Sequence, residues 1–191
     1  MTVRGRPRSS EIDAAIVGAA RTLLAEVGYA DLSIEEVARR AGVGKPTLYR
    51  RYATKGALVA GVLHETLATA NPVVPDTGDV ADDVRIVLGN LVRQITDSDF
   101  GVAVGEMISP ASRDADVADA FAGVIERRRT VIRAVIERAA ATGRLRVANV
   151  EVAIDMALGA VYYRHLVQRQ RIDDDFVDEL VSGLIDDDRP D

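Results

Sequence analysis

The chain is predicted to be all-α, with a three-helix helix-turn-helix head, a larger helical body and about nine helices in all. Three observations predict this. Apolar residues recur at helical rather than alternating spacing along most of the 191 residues. The composition is 48% hydrophobic but only 4% aromatic and is rich in Ala, Leu, Val and Arg, which favours helix over sheet. Helix-starting Ser, Thr, Asp and Asn and helix-stopping Gly punctuate the periodic stretches.

Residues 1–9, MTVRGRPRS, have almost nothing to bury and form a basic arm that is disordered on its own. From Ser10 to Val27 a helix is predicted by Ile12, Ala15, Ile16, Ala19, Leu23, Leu24 and Val27, with Glu11 and Asp13 in its first turn and Gly28 at its end. Tyr29 and Leu32 then pack on the next element. Ser33 and Glu36 stand in the S-x-x-E relation of a capping box, and Ile34, Val37, Ala38 and Ala41 fall on one face. Gly42 stops that helix in a left-handed conformation, with Val43 tucked under the turn. A second helix opens at Gly44, Lys45 and Pro46, where proline's missing N–H needs no partner, and runs through Leu48 to Tyr52. Small Ala38, the Gly42 turn and inward Val43 and Leu48 let the two helices cross closely, as in a helix-turn-helix.

Thr54 is the predicted cap of a longer helix reaching Ala70, with Leu58, Val62 and Leu67 inward. Asn71 to Thr77, NPVVPDT, is the clearest boundary, since its two prolines disfavour helix. Asp79 to about Asp97 follows, with Val80, Val84, Val87, Leu88, Leu91, Val92 and Ile95 inward. A shorter helix covers Phe100 to Ile108, and a long one runs from about Asp114 to Thr142 and closes at Gly143. On that long helix Glu126-Arg127-Arg128-Arg129 reads as an outer face, the inner one carrying Phe121, Val124, Ile125, Val131, Ile132, Val135 and Ile136. Arg144 to Val147 alternates but is too short and solitary for a sheet, so it is a connector. Asn149 caps a helix from Val150 to about Arg169 that is apolar nearly all round and must be covered on two sides. The last helix, Asp173 to Ile185, presents Phe176, Val177, Leu180, Val181 and Leu184.

The net charge of −6 conceals an asymmetry. Residues 1–56 hold ten Lys/Arg against six Asp/Glu, giving +4, and the remainder fourteen against twenty-four, giving −10. A basic module can be steered to nucleic acid while an acidic remainder avoids it. Both lysines of the chain, Lys45 and Lys55, lie in the helix-turn-helix segment with Arg50 and Arg51 between them. That placement suits phosphate and base-edge contacts. With no cysteine there is no disulfide framework or thiolate metal site, and no metal or cofactor is expected. No apolar run approaches a membrane span and no signal-peptide core is present, so no membrane partner is expected and the location expected is cytoplasmic. Only two histidines occur, His64 and His165, without H-E-x-x-H, a phosphate-binding glycine loop or G-x-S-x-G, so no catalytic residues are expected.

Gly42-Val43-Gly44-Lys45-Pro46-Thr47-Leu48-Tyr49-Arg50-Arg51-Tyr52, followed by Lys55 and Leu58, resembles the DNA-binding domain of the TetR family of bacterial transcriptional regulators. The resemblance is specific over about residues 10 to 60 and architectural beyond. It implies a DNA-binding domain at 10–56 and a regulatory and dimerisation domain at 57–191. By resemblance Lys45, Pro46, Thr47 and Arg50 face bases, Tyr49, Arg51 and Lys55 grip phosphates, and Ser33 joins the interface. Several family members carry Thr or Arg early in the first helix of the motif, where this chain has Ile34 and Glu35. In the arm, Arg4 and Arg6 either enter an A·T-rich minor groove or belong to a solvated tail.

The resemblance further implies a repressor that binds a palindromic operator as a homodimer and is released by a small, mostly apolar effector. Phe100, Met107, Phe121, Met156, Tyr162 and Tyr163 either line an effector cavity or are plain core. Tyr162, His165, Leu166, Phe176, Leu180 and Leu184 are candidates for the dimer seam, and His165 alternatively for the cavity. The acidity of the body hints at a cationic ligand. The alternative is a DNA-localised helical protein whose body is an enzyme or a constitutive partner-binding module.

Overall fold

The computed structural model describes residues 8–70, 73–97 and 99–186, with side chains described for 10–65, 73–97 and 101–186. Over these residues it contains nine α-helices and one π-helical turn. They are α1 (Arg8–Asp31), α2 (Ile34–Arg40), α3 (Lys45–Tyr49), α4 (Lys55–Ala70), α5 (Val80–Thr96), α6 (Asp99–Ala111), α7 (Ala115–Ala141), α8 (Val150–Tyr162), the π-turn (Tyr163–Val167) and α9 (Asp174–Leu184). None is long and apolar enough to cross a membrane. The chain forms two compact units, residues 1–66 with 99–124, and 67–98 with 125–191.

In the first unit α1 packs on α2 and α6, and α2 on α3. Ile16, Ala20, Leu23 and Leu24 of α1 share a core with Val37, Leu48, Leu58, Leu63, Val104 and Met107. Gly28, with φ +75° and ψ 177°, interrupts α1 as its residue type suggests. Ser33 caps α2 as expected, its hydroxyl accepting the Glu36 N–H at 3.4 Å. The reciprocal half of the box is redirected. The Glu36 carboxylate turns to Arg39, at 2.6 and 2.7 Å, and Arg40, at 2.8 Å, because charge-assisted bonds one turn along outweigh a neutral backbone donor. Gly42 closes α2 at φ +66°, and the Val43 N–H returns to the Ala38 carbonyl at 3.0 Å, the Schellman closure. The helix expected to run to Tyr52 ends at Tyr49, and beyond it only turn hydrogen bonds continue, Arg50 N–H to Pro46 O at 3.2 Å and Tyr52 N–H to Leu48 O at 2.9 Å.

In the second unit α5 packs on α8 and α9, and α8 on α9. The expected stripe of α5, Val84, Val87, Leu88, Leu91 and Ile95, is buried together with Ile132, Val135 and Ile136 of α7, Ile154, Ala157 and Val161 of α8 and Val181 and Leu184 of α9. Side chains of Asp79, Asn149 and Asp173 cap α5, α8 and α9. Asp83, 1% exposed, is matched by Arg138 at 2.6 Å and by the N–H and hydroxyl of Thr77, both at 2.9 Å. The 144–147 connector finds a partner the sequence did not suggest. Leu145 bridges Ile185 antiparallel, through Arg146 N–H to Leu184 O at 2.8 Å and Asp186 N–H to Arg144 O at 2.7 Å.

Two expectations are corrected here. The helix expected to reach Arg169 is α-helical only to Tyr162. It then widens into the π-turn, with Gln168 N–H reaching back five residues to Tyr163 O at 3.0 Å, and Arg169 at φ +53° redirects the chain toward α9. The run Glu126-Arg127-Arg128-Arg129 is not a single outer face. Consecutive helical residues fan around the axis at roughly 100° apiece, so one of the four must share the stripe of Ile132, Val135 and Ile136. That residue is Arg128, 2% exposed, while Arg129 is half-buried and bonds Glu151 at 2.7 Å.

Candidate DNA interface and sensing residues

The helix-turn-helix is built around Leu48, which is fully buried and fixes the rotation of α3. That rotation leaves Lys45, Pro46, Tyr49 and Arg50 exposed and Thr47 half-buried at its side. Lys45, the first residue of α3, lies with its ammonium 3.4 Å from the Glu35 carboxylate, which also accepts from the Ser33 hydroxyl at 3.3 Å. Backbone donors at the start of α2, and then Lys45, hold the Glu35 carboxyl below the usual carboxylate range.

Two residues assigned to phosphates are engaged within the unit. Arg51 is 17% exposed and its Nε donates to Asp13 of α1 at 2.5 Å. Lys55 donates to the Ala30 carbonyl at 2.7 Å with its ammonium 4.7 Å from the centre of the Tyr29 ring, and burial pushes its pKa below the usual lysine value. Both therefore brace α1 against the helix-turn-helix and the start of α4. Arg4 and Arg6 lie outside the described residues.

The sensing candidates are divided between the units. Met107 is fully buried and Phe121 half-buried in the first, whereas Phe100 lies in α6 with its side chain outside the described residues. In the second unit Tyr162 points inward, its hydroxyl hydrogen-bonded to Arg128. Met156 and Tyr163, 45% and 56% exposed, instead share an outward stripe with Val152 and Val167, 47% and 66% exposed. The dimer candidates also divide. His165, Leu166 and Leu180 are half-buried, Phe176 is half-buried under the Arg164 guanidinium at 4.4 Å, and Leu184 is fully buried in its own chain. Asp13 was legible only as a first-turn acid and Val167 only as part of an apolar helix, while Gln94 carried no signal in the sequence, because the partners of Asp13 and Gln94 come from tertiary contact.

A basic, exposed recognition helix held across a capped partner helix by a glycine turn, on a chain whose described elements are mainly helices, defines a helix-turn-helix transcriptional regulator. The chain belongs to the TetR family. Residues 16–62 match the family model described as bacterial regulatory proteins, tetR family, and residues 74–184 that described as tetracyclin repressor-like, C-terminal domain. The chain is 32% identical over 182 residues, 94% of this chain and 91% of the other, to the uncharacterized HTH-type transcriptional regulator YdeS of Bacillus subtilis. It is 35% identical over 94 residues, 49% of this chain and 47% of the other, to the DNA-binding transcriptional repressor TetR of Mycobacteroides abscessus. Among solved structures, the TetR family transcription regulator SCO0332 aligns with a TM-score of 0.73 and 36% identity, covering 91% of this chain and 96% of that one. FadR of Bacillus subtilis, solved in complex with stearoyl-CoA, aligns with a TM-score of 0.72 over 89% of this chain and 98% of its own; at 17% identity the likeness is of fold.

Proposed function

We propose that this regulator is a homodimeric repressor that blocks a promoter by binding a palindromic operator and leaves it when a small, mostly apolar effector occupies the helical body. The observation that carries the DNA half is the rotation of α3, which buries Leu48 and turns Lys45, Pro46, Tyr49 and Arg50 outward. Residues 10–56 serve as the head and 57–191 as the regulatory and dimerisation body, with the 1–9 arm supplying Arg4 and Arg6 to the adjacent minor groove. In each subunit α3 enters a major groove. Lys45, Thr47 and Arg50 read base edges beside Pro46, and Tyr49 contacts phosphate with Ser33 nearby. Arg51 and Lys55 reach phosphate from their braced positions. The two-fold axis places half-sites roughly 34–36 Å apart.

Dimerisation is supported by the outward stripe on α8 and the π-turn, which leaves Val152, Met156, Tyr163 and Val167 uncovered within one chain. Repression is supported by the likeness to the repressor of Mycobacteroides abscessus, and an apolar effector by the fold shared with FadR, which is solved in complex with stearoyl-CoA. The body senses and performs no catalysis, and the protein works in the cytoplasm, where its DNA lies. Release needs the effector to favour the non-binding dimer by a coupling of typically 1–3 kcal/mol.

The test is footprinting on the DNA upstream of the protein's own gene, followed if needed by selection from random DNA, at near-physiological salt with competitor. A protected palindrome is expected. Lys45→Ala and Thr47→Ala should weaken operator binding more than non-specific binding, and Tyr49→Phe should weaken both alike. Equal losses in all three would remove the base-reading roles, and no selected sequence would remove the regulator reading.

A further inference from the structure

Lys45 opens the recognition helix, and the N-terminal residues of such a helix are the ones that meet base edges. In this chain it is accompanied. Its ammonium lies 3.4 Å from the carboxylate of Glu35, the second residue of α2, and both side chains are exposed. The hydroxyl of Ser33, the cap of α2, donates to the same carboxylate at 3.3 Å, so the acid is held from its own helix as well as from α3. The neighbouring Glu36 is engaged elsewhere, its oxygens taken by Arg39 and Arg40. Of the two acids in the first turn of α2, Glu35 is therefore the one carried to the face that Lys45 presents. A carboxylate beside a base-reading lysine is not indifferent to DNA: against a phosphate it repels, and against a base edge it accepts.

The pair sets a donor and an acceptor side by side. The major-groove edge of a G·C pair offers the complement, since guanine N7 and O6 accept and cytosine N4 donates. Guanine O6 and cytosine N4 are hydrogen-bonded to one another and so lie about 2.9 Å apart, close to the separation within the Lys45–Glu35 pair. On that edge the ammonium finds two adjacent acceptors and N4 is left for the carboxylate. An A·T pair instead interposes its N6 donor between two acceptors, so the ammonium reaches only one of them when the carboxylate takes N6. Lysine alone is a flexible point cation that answers to any acceptor, phosphate included, and Glu35 supplies the direction it lacks. The described donors to the Glu35 carboxylate are its own backbone N–H, Ser33 and Lys45, fewer than the roughly four bonds such a group accepts.

We propose that Glu35 is a base-reading residue, and that Glu35 and Lys45 act as one unit recognising a single G·C pair in each half-site, Lys45 on the guanine and Glu35 on the N4 amine of its cytosine. This rests on the DNA-binding reading above and gives α2 a sequence-specific contact of its own. Because the unit enters the groove as an ion pair, it contributes discrimination between sequences more than salt-dependent affinity.

The test uses the full chain. Selection from random DNA is run in parallel on the parent, Glu35→Ala and Glu35→Gln, at near-physiological salt with competitor. The parent should prefer G·C to A·T by at least about fivefold at one position of each half-site. Glu35→Ala should lose the preference at that position, and Glu35→Gln, which keeps an acceptor oxygen without the charge, should retain part of it. In the selected operator, N4-methylcytosine at the same position puts a methyl group where the groove-facing proton stood. It should weaken the parent by at least about fivefold, a readout that needs no variant to fold, while Glu35→Ala binds the two operators alike. If Glu35 only repelled phosphate, both variants would tighten operator and non-specific DNA equally with the base preference intact, and that result would overturn the proposal. So would a parent indifferent to the methyl group. A selected palindrome with no position that depends on Glu35 would overturn it and preserve the regulator reading, whereas a parent that selects no sequence would remove both.

Discussion

The carboxylate of Glu106 in α6 accepts the backbone N–H of Tyr29, just beyond the break in α1 at Gly28. A side chain 77 residues further along the chain thus holds the end of the helix on which the helix-turn-helix rests. A hydrogen bond to a charged acceptor in a partly buried setting contributes about 1–3 kcal/mol. Glu106→Ala should lower stability by that amount and speed hydrogen exchange at the Tyr29 amide. Glu106→Gln keeps an acceptor oxygen and should recover most of both. Thermal denaturation and amide exchange would read the pair, and wild-type exchange in Glu106→Ala would show that the bond holds nothing.

Gly28 is tied to the same carboxylate. At φ +75° and ψ 177° it occupies backbone space that side-chain-bearing residues rarely enter, and a Cβ there would lie 2.8 Å from Glu106 Oε1. Gly28→Ala therefore meets two penalties, backbone strain of about 1–3 kcal/mol and a clash. The double variant Gly28→Ala/Glu106→Ala removes the clash and leaves the strain. It should be less destabilised than the two single changes added together, as a shared contact requires. Denaturant midpoints of the four proteins would decide it, and strict additivity would mean that the carboxylate swings clear at no cost.

What the sequence disclosed followed from how locally each feature is determined. Ser33, Gly42, Pro46, Asn149 and Asp173 act on backbone within a few residues of themselves, so caps and turns were legible, as were the apolar stripes of α5 and α9. Arg128 was misread because a run of charges suggests water, whereas helical geometry forces one of four consecutive residues onto the inner stripe. The break after Tyr162 and the bridge between Leu145 and Ile185 depend on partners far along the chain. In the DNA head the identity of the exposed residues was legible, but not that Asp13 and the Ala30 carbonyl hold Arg51 and Lys55.

Glu36 gives the head a measurable response to acid. Hydrogen bonds from Arg39 and Arg40 carry its carboxyl from the ordinary 4.5 down to about 2. Because the folded value is depressed, its contribution is complete above the ordinary range near 4.5 and is lost as pH falls toward about 2. The group is at the surface, so salt should weaken the effect. In a carbon-detected titration the Glu36 carboxyl should protonate well below its ordinary 4.5, and Glu36→Gln should flatten the acid limb of the stability profile. A midpoint in the ordinary range would show that Arg39 and Arg40 bond water instead.

The outward stripe of α8 and the π-turn carries the dimer reading to a test. Val152, Met156, Tyr163 and Val167 are spaced by four, seven and four residues, which keeps them on one face, and each is at least 45% exposed while Ala153, Ile154, Ala157 and Val161 fill the core behind them. A charge added to that face leaves the fold of the single chain intact but must be desolvated if two chains meet there. The parent should sediment at twice the 20.5 kDa chain mass, and the double variant Met156→Lys/Tyr163→Lys near 20.5 kDa with unchanged helix content. The monomer should also lose the palindromic operator far more than a single half-site, because only paired heads can engage both halves at once. A variant that remained dimeric would move the interface off this stripe. One that became monomeric yet held the palindrome at full strength would separate dimerisation from operator binding.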